Sequence, residues 1–271
     1  MFRFFTFIFF ATFSASAHAH EVWLELDQWE VRSQVSLGAQ LLNGQDFKGA
    51  ELSWNPRVIL RAEKWQGDAG VRLLGRFGDI PALSTTAGQD GLLTLIYQSA
   101  PNTVVYEDYD KFAQFVGEKG ISTALADHEA RKLPRAPIKE AFSRYVKALV
   151  AVGDGKGADI ARGLEIEIVA LTNPYTADPA EMMRFQVFYQ SQLLAGSQVT
   201  LFERTTAGEV TIKTQVSDKL GVVRFKTKAG HTYLVDTVVL RQPTPALIAF
   251  TNGAVWESLW ASLTFRVPDT Q

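Results

Sequence analysis

Residues 164–168 are Leu164-Glu165-Ile166-Glu167-Ile168, apolar and acidic side chains in strict alternation. Successive side chains of a β-strand point to opposite faces, so a period of two predicts a strand with one face on a core and one in water. The same texture continues toward the C-terminus. Strands are predicted at 184–189, 198–203, 210–216, 222–225, 232–240 and 259–267. Ala195-Gly196, Ala207-Gly208, Leu220-Gly221 and Ala229-Gly230 fall where hairpins should close. Short strands at this density predict a transthyretin-like or immunoglobulin-like sandwich.

Upstream, Val22 to Leu26, Val35 to Leu41, Val58 to Trp65, Val71 to Phe77 and Leu92 to Tyr97 are also strand-like. Asn43-Gly44, Asn55-Pro56, Gly67-Asp68 and Asp90-Gly91 punctuate them, the pattern of a second antiparallel sandwich. Between the two regions the period changes. Ala141, Tyr145, Ala148, Leu149 and Val152 recur at steps of three and four after Pro137, and Phe112, Phe115 and Val116 form a shorter set ending at Gly120. This spacing predicts helix. Gly153, Gly155 and Gly157 then predict a flexible joint. The fold expected is mainly β, two antiparallel sandwich domains joined by a helical segment. Its parts are a leader at 1–19, an N-terminal β domain at 20–106, a helical connector with its Gly-rich joint at 107–157, and a C-terminal β-sandwich at 158–271.

The leader is expected from Arg3, the apolar run Phe4 to Phe13 broken only by Thr6 and Thr12, and Ala17-His18-Ala19. A positive start, a short apolar core and small residues at the cleavage positions form a secretory signal, and the run is too short for the roughly twenty residues that span a bilayer. Cleavage after Ala19 gives a mature chain starting at His20, exported to the periplasm or secreted, with no spanning segment expected. In the whole sequence of 271 residues, 27 Lys and Arg balance 29 Asp and Glu for a net charge of −2. No basic field for nucleic acid follows from that balance. Cysteine is absent and there are four histidines, which excludes disulfides, thiolate metal sites and catalytic thiols.

Several motifs together resemble a known family. They are His20-Glu21-Val22-Trp23-Leu24-Glu25, Phe47-Lys48-Gly49, Gly78-Asp79-Ile80-Pro81-Ala82, Ser143-Arg144-Tyr145-Val146-Lys147-Ala148-Leu149, Leu171-Thr172-Asn173-Pro174-Tyr175 and Trp256-Glu257-Ser258-Leu259-Trp260-Ala261-Ser262-Leu263-Thr264-Phe265. In this order, across nearly the whole mature chain, they resemble an uncharacterised periplasmic family described as the periplasmic component of cobalt/nickel ABC-type uptake systems. The resemblance implies an exported β-rich protein that serves transition-metal uptake beside a membrane transporter. Where the family pattern places a His in the strand after the Gly-x-x-Tyr turn, this chain has Val238-Val239-Leu240. That departure puts metal binding itself in doubt.

The residues supply one candidate metal site of their own. A chain beginning at His20 offers the α-amine and the ring Nδ1 of one residue, which close a six-membered chelate on a divalent metal such as Ni, Co or Cu. A complete site needs a further ligand. His231, in the turn Ala229-Gly230-His231-Thr232, is the preferred second candidate, with Glu21, Glu25 and Glu257 as carboxylate substitutes. His128 is expected on a wet helix face, Glu165 and Glu167 on a wet strand face, and Trp256 and Trp260 in a core rather than on a sugar-stacking platform.

No Gly-rich phosphate loop, HExxH helix or nucleophile elbow occurs, and the chain is expected not to be an enzyme. An oxidative copper enzyme would need a second imidazole facing His20. Two functions stay open. One is a periplasmic accessory protein that binds Ni, Co or Cu for a membrane transporter. The other is a metal-free binding or adhesion module that presents the loops of two sandwiches to a protein or glycan.

Overall fold

The computed structural model describes residues 20–178 and 180–269; the leader expected at 1–19 lies outside the described residues. The N-terminal strands are β1 (Glu21–Glu25), β2 (Glu30–Val31), β3 (Ser36–Gln45), β4 (Lys48–Leu52), β5 (Ile59–Gln66), β6 (Ala69–Arg72), β7 (Leu83–Thr86), β8 (Gly91–Ser99) and β9 (Asn102–Tyr106). Helices α1 (Tyr109–Glu118) and α2 (Thr123–Ala130) precede the long strand β10 (Ile138–Val152). Then come β11 (Ile166–Ala170), β12 (Met183–Tyr189), β13 (Gln192–Leu193), β14 (Gln198–Arg204), β15 (Val210–Val216), β16 (Val222–Phe225) and β17 (Thr232–Arg241). A short helix α3 (Pro245–Phe250) and β18 (Trp256–Arg266) complete the order.

The architecture is mainly β, with open, sandwich-like sheets. A ten-stranded sheet runs in the order β15-β14-β17-β18-β10-β8-β5-β6, with β2 and β9 also paired to β10. Two four-stranded sheets flank it, one of β1, β3, β4 and β7, the other of β11, β12, β13 and β16. Strand β10 shows how the layers stack. Its Val146, Ala148, Val150 and Val152 pack in one core with Leu24, Leu37 and Leu41. Its Tyr145 and Leu149 point the other way, into a core with Ile166, Ile168, Phe185 and Val223. Alternate side chains thus bury both faces of the large sheet. The helices cover the remaining part of the β1 side, where Phe112, Phe115 and Val116 meet Ile138, Trp256 and Trp260. Pairing is antiparallel except that β10 runs parallel to β18 and β2.

The helix expected after Pro137 is instead the 15-residue strand β10. A strand buried on both faces carries apolar residues at nearly every position, so three- and four-residue steps can be found in it as readily as steps of two. Helix in 107–157 is confined to α1 and α2. The expected flexible joint is also pinned. Gly153 N–H donates to Val31 O at 2.8 Å, Leu92 N–H to Lys156 O at 2.7 Å, and Asn173 Nδ2 to the carbonyls of Gly155 and Gly157 at 2.9 Å each. Asn43-Gly44 is not a turn but part of β3, where it pairs with Ala50 and Gly49; the reversal comes later, at Asp46 and Phe47, both at positive φ. Strand β6 stops at Arg72, short of the expected Phe77.

Glu167, expected in water, is buried. Lys147 of β10 reaches it at 3.0 Å and Asp159 at 2.8 Å. The Glu167 carboxylate also accepts the backbone N–H groups of Arg162 and Leu164 at 2.8–3.1 Å. An alternating pattern reports one wet face only when no neighbouring segment folds over it, and here residues 159–164 do.

Candidate functional site

Strand β1 lies across the central sheet on side-chain hooks from β18: Ser262 Oγ donates to Val22 O and Thr264 Oγ1 to Leu24 O, each at 2.7 Å. Trp23 packs with Phe202 and Leu234 of the central sheet and edge-on to Phe47, ring centroids 5.4 Å apart. A Cβ on Gly49 would come within 2.7 Å of the Trp23 ring and of Asn43 O. The Phe47-Lys48-Gly49 turn is therefore shaped to seat β1 at its fixed height.

His20 sits just ahead of β1, at a cavity of about 470 Å³ between β1, the β3–β4 hairpin, the β8–β9 turn and β10. Val22, Leu52, Val58, Val104 and Phe142 make its apolar walls, and Asn43, Ser99 and Asn102 add polar groups. Arg144 of β10 also lines it, although only 5% of that residue is exposed.

Arg144 is an unusual residue to find there. Its guanidinium carbon lies 4.2 Å from the Trp260 ring and 4.9 Å from Phe142. Its backbone N–H donates to Ser99 Oγ at 2.9 Å. Nε and Nη1 of the guanidinium are buried and have no hydrogen-bond partner. Burial draws its pKa down to about 10, against the opposing pull of Asp236, Glu140 and Glu21. Those carboxylates are engaged elsewhere. Lys119 Nζ holds Glu21 at 2.6 Å and Asp236 at 2.7 Å. Glu140 accepts from Ser258 Oγ and, at 3.1 Å, from Tyr106 OH; burial pushes its pKa up to about 7. A desolvated cation without in-plane acceptors is costly unless something else supplies them.

The structure does not bring His20 and His231 together. The hooks on Val22 and Leu24 set His20 level with Trp260, which pairs with Val238, whereas His231 lies beyond the Thr232–Arg266 pair at the far end of β17. At about 3.3 Å per residue the two are about 20 Å apart along the strand. His231 Nδ1 is 2.9 Å from Glu203 Oε1, within a cluster that also holds Lys213 and Lys228. Against the cost of burial, hydrogen bonds from these three groups hold Glu203 at about 2. The carboxylate substitutes are committed as well: Glu21 to Lys119, Glu25 to Arg204 at 2.6 Å, and Glu257 to both Nε and Nη2 of Arg241 at 2.7 and 2.9 Å.

His128 is buried, not wet. Its Nδ1 accepts from Trp256 Nε1 at 3.0 Å, so the ring hydrogen sits on Nε2, which faces Pro134 O at 3.1 Å. Trp256 and Trp260 are both core residues, and Val238 packs with them. Among the described residues no group of three or more His, Cys, Asp and Glu is arranged to hold a metal ion. The donors gathered around His20 do not fit one, and Arg144 lends its cavity a positive charge that opposes a divalent cation.

A second cavity of about 460 Å³ adjoins Arg241, Tyr145 and Phe250. Its charges are paired: Arg241 holds Glu257 and Glu165 and donates to Tyr189 OH at 2.8 Å. The cavity at His20 differs from it in that Nε and Nη1 of its buried arginine, Arg144, have no hydrogen-bond partner. Sequence reasoning reached His20 and missed Arg144 as a site residue, because its burial follows from packing and leaves no mark in the local sequence.

The family whose description is "Domain of unknown function (DUF4198)" matches residues 17–241. No curated protein matches the chain. A solved structure similar to it is the tetra-tandem repeat in the extending region of a large adhesion protein, 13% identical, with a TM-score of 0.22. The match covers 91% of this chain and 49% of that one, so the chain spans about half its length. No helix among the described residues is long and apolar enough to cross a membrane.

Proposed function

The chain belongs to the family described as a domain of unknown function (DUF4198), and from that premise we propose that it is an exported, non-catalytic binding protein whose site is the cavity between His20 and Arg144. The observation that carries this reading is the pairing of apolar walls with one buried guanidinium whose Nε and Nη1 have no hydrogen-bond partner. Cavities of a few hundred Å³ with a small number of placed polar groups are the usual form of a small-molecule site. The test is a thermal-shift screen of small organic molecules on the wild type and on Leu52→Glu, which puts a charge on an exposed wall of the cavity. Compounds that stabilise the wild type and not the variant support the site. A screen whose hits act equally on both places binding elsewhere.

The transition-metal reading is the second one. It rests on the family resemblance and on the amine and ring of His20 in a chain that starts there, with a membrane metal transporter as partner. Elemental analysis of tag-free protein from the periplasm tests it. Stoichiometric Ni, Co or Cu would favour it over the metal-free module.

A further inference from the structure

Resting on the cavity reading above, we propose that the ligand is an organic monocarboxylate, its single negative charge set at Arg144 and its apolar body along Val22, Leu52, Val58, Val104 and Phe142. The charge requirement comes from Arg144. Phe142 and Trp260 meet the guanidinium through their rings, and Nε and Nη1, closed off by this packing, take no acceptor from the chain, so a cation without bonds at these two nitrogens lies at the cavity wall. An ionised acceptor is the strongest partner a guanidinium can receive. Ser99 adds a second contact, since its Oγ accepts from the Arg144 backbone and keeps its own hydrogen to donate.

The same surroundings limit the ligand to one charge. Glu21 and Asp236 stand behind Arg144, and Glu21 Oε2 is buried without a hydrogen-bond partner. A second negative charge on the ligand would meet these carboxylates in a desolvated setting. A cation would meet Arg144 itself. A neutral apolar molecule would fill the walls and leave the guanidinium as it is. The body must be apolar because the cavity walls away from Arg144 are aliphatic or aromatic, and Leu52 and Val58, each 38% exposed, form its outer edge.

The experiment is calorimetric titration of the mature protein with octanoate, 4-phenylbutyrate, acetate, octanol and octylammonium, repeated on Arg144→Gln and Leu52→Glu. At least one of the first two should bind tenfold or more tighter than acetate, octanol and octylammonium, and both variants should lose tenfold or more. Leu52→Glu keeps the test decisive if Arg144→Gln fails to fold, since Leu52 is a surface position. Octanol or octylammonium binding as tightly as octanoate, with loss in Leu52→Glu, would overturn the carboxylate and leave the cavity reading standing. Carboxylate binding that both variants retain would overturn the site and the cavity reading together. Failure of both long carboxylates to bind would overturn the ligand class, and the screen on Leu52→Glu then decides the cavity reading by itself.

Discussion

Arg144 and Trp260 are partners across the parallel pairing of β10 and β18, with the guanidinium carbon 4.2 Å from the indole ring. Lys119 lies 4.6 Å from the same ring, and Phe115 stacks on it with centroids 5.6 Å apart. One indole thus anchors helix α1, the cation of the cavity and the cation that holds Glu21 at the start of β1. Trp260→Ala should cost about 3–5 kcal/mol, the usual range for removing a buried Trp. Trp260→Phe should cost less, losing chiefly the indole bond to Ser258 Oγ at 2.8 Å. Urea unfolding of the two variants checks the order; equal losses would deny the ring its role.

Glu140 predicts a pH dependence. Burial raises its pKa from 4.5 to about 7 in the folded protein, and bonds from Ser258 and Tyr106 and the charge of Arg144 only partly offset that rise. Between these values the folded chain keeps a proton that the unfolded chain has released. Its contribution is therefore fully present below pH 4.5 and is lost as pH rises through 7, by about 3 kcal/mol in all. Glu140→Gln should flatten this part of the stability profile and be more stable than wild type at pH 8. An unchanged slope would assign the titration to another group.

Lys147 bridges Asp159 and Glu167 inside the core, all three side chains being at most 1% exposed. Lys147→Met leaves two buried carboxylates without their cation and should cost about 3–5 kcal/mol. Lys147→Met combined with Asp159→Asn and Glu167→Gln should recover part of that loss. Thermal unfolding of the single and triple variants separates a charge effect from a packing effect.

For metal, the register makes a sharp distinction. If the metal reading holds, a chain starting at His20 should lose at least tenfold in Cu(II) or Ni(II) affinity on His20→Ala, about 1.4 kcal/mol. His231→Ala should leave the affinity unchanged, because about 20 Å of strand separates the two rings. A residue added ahead of His20 moves the amine and should do harm comparable to His20→Ala. Equal loss from His20→Ala and His231→Ala would contradict the register that hangs β1 on Ser262 and Thr264.

Local sequence determined the β character of this chain and most of its second-half strands. Runs predicted at 198–203, 210–216, 222–225 and 232–240 correspond to β14, β15, β16 and β17 within a residue. Side-chain alternation and turn glycines are properties of neighbouring residues, so they survive being read without a structure. Helix α1 was legible in the same way through Phe112, Phe115 and Val116, whose spacing matches the face it buries.

Tertiary structure alone decided the rest, because burial depends on segments far away in sequence. Strand β10 looked helical since two separate cores, one on each face, make its residues apolar throughout. His128 and Glu167 looked wet until Trp256 and Lys147 came to meet them. The same holds for the cavity. Arg144 is an ordinary arginine in the sequence, and it becomes a desolvated cation without in-plane acceptors only when Lys119 takes Glu21 and Asp236 and Trp260 closes over its plane. Which charges find partners is settled by packing, and packing is not written in any one stretch of chain.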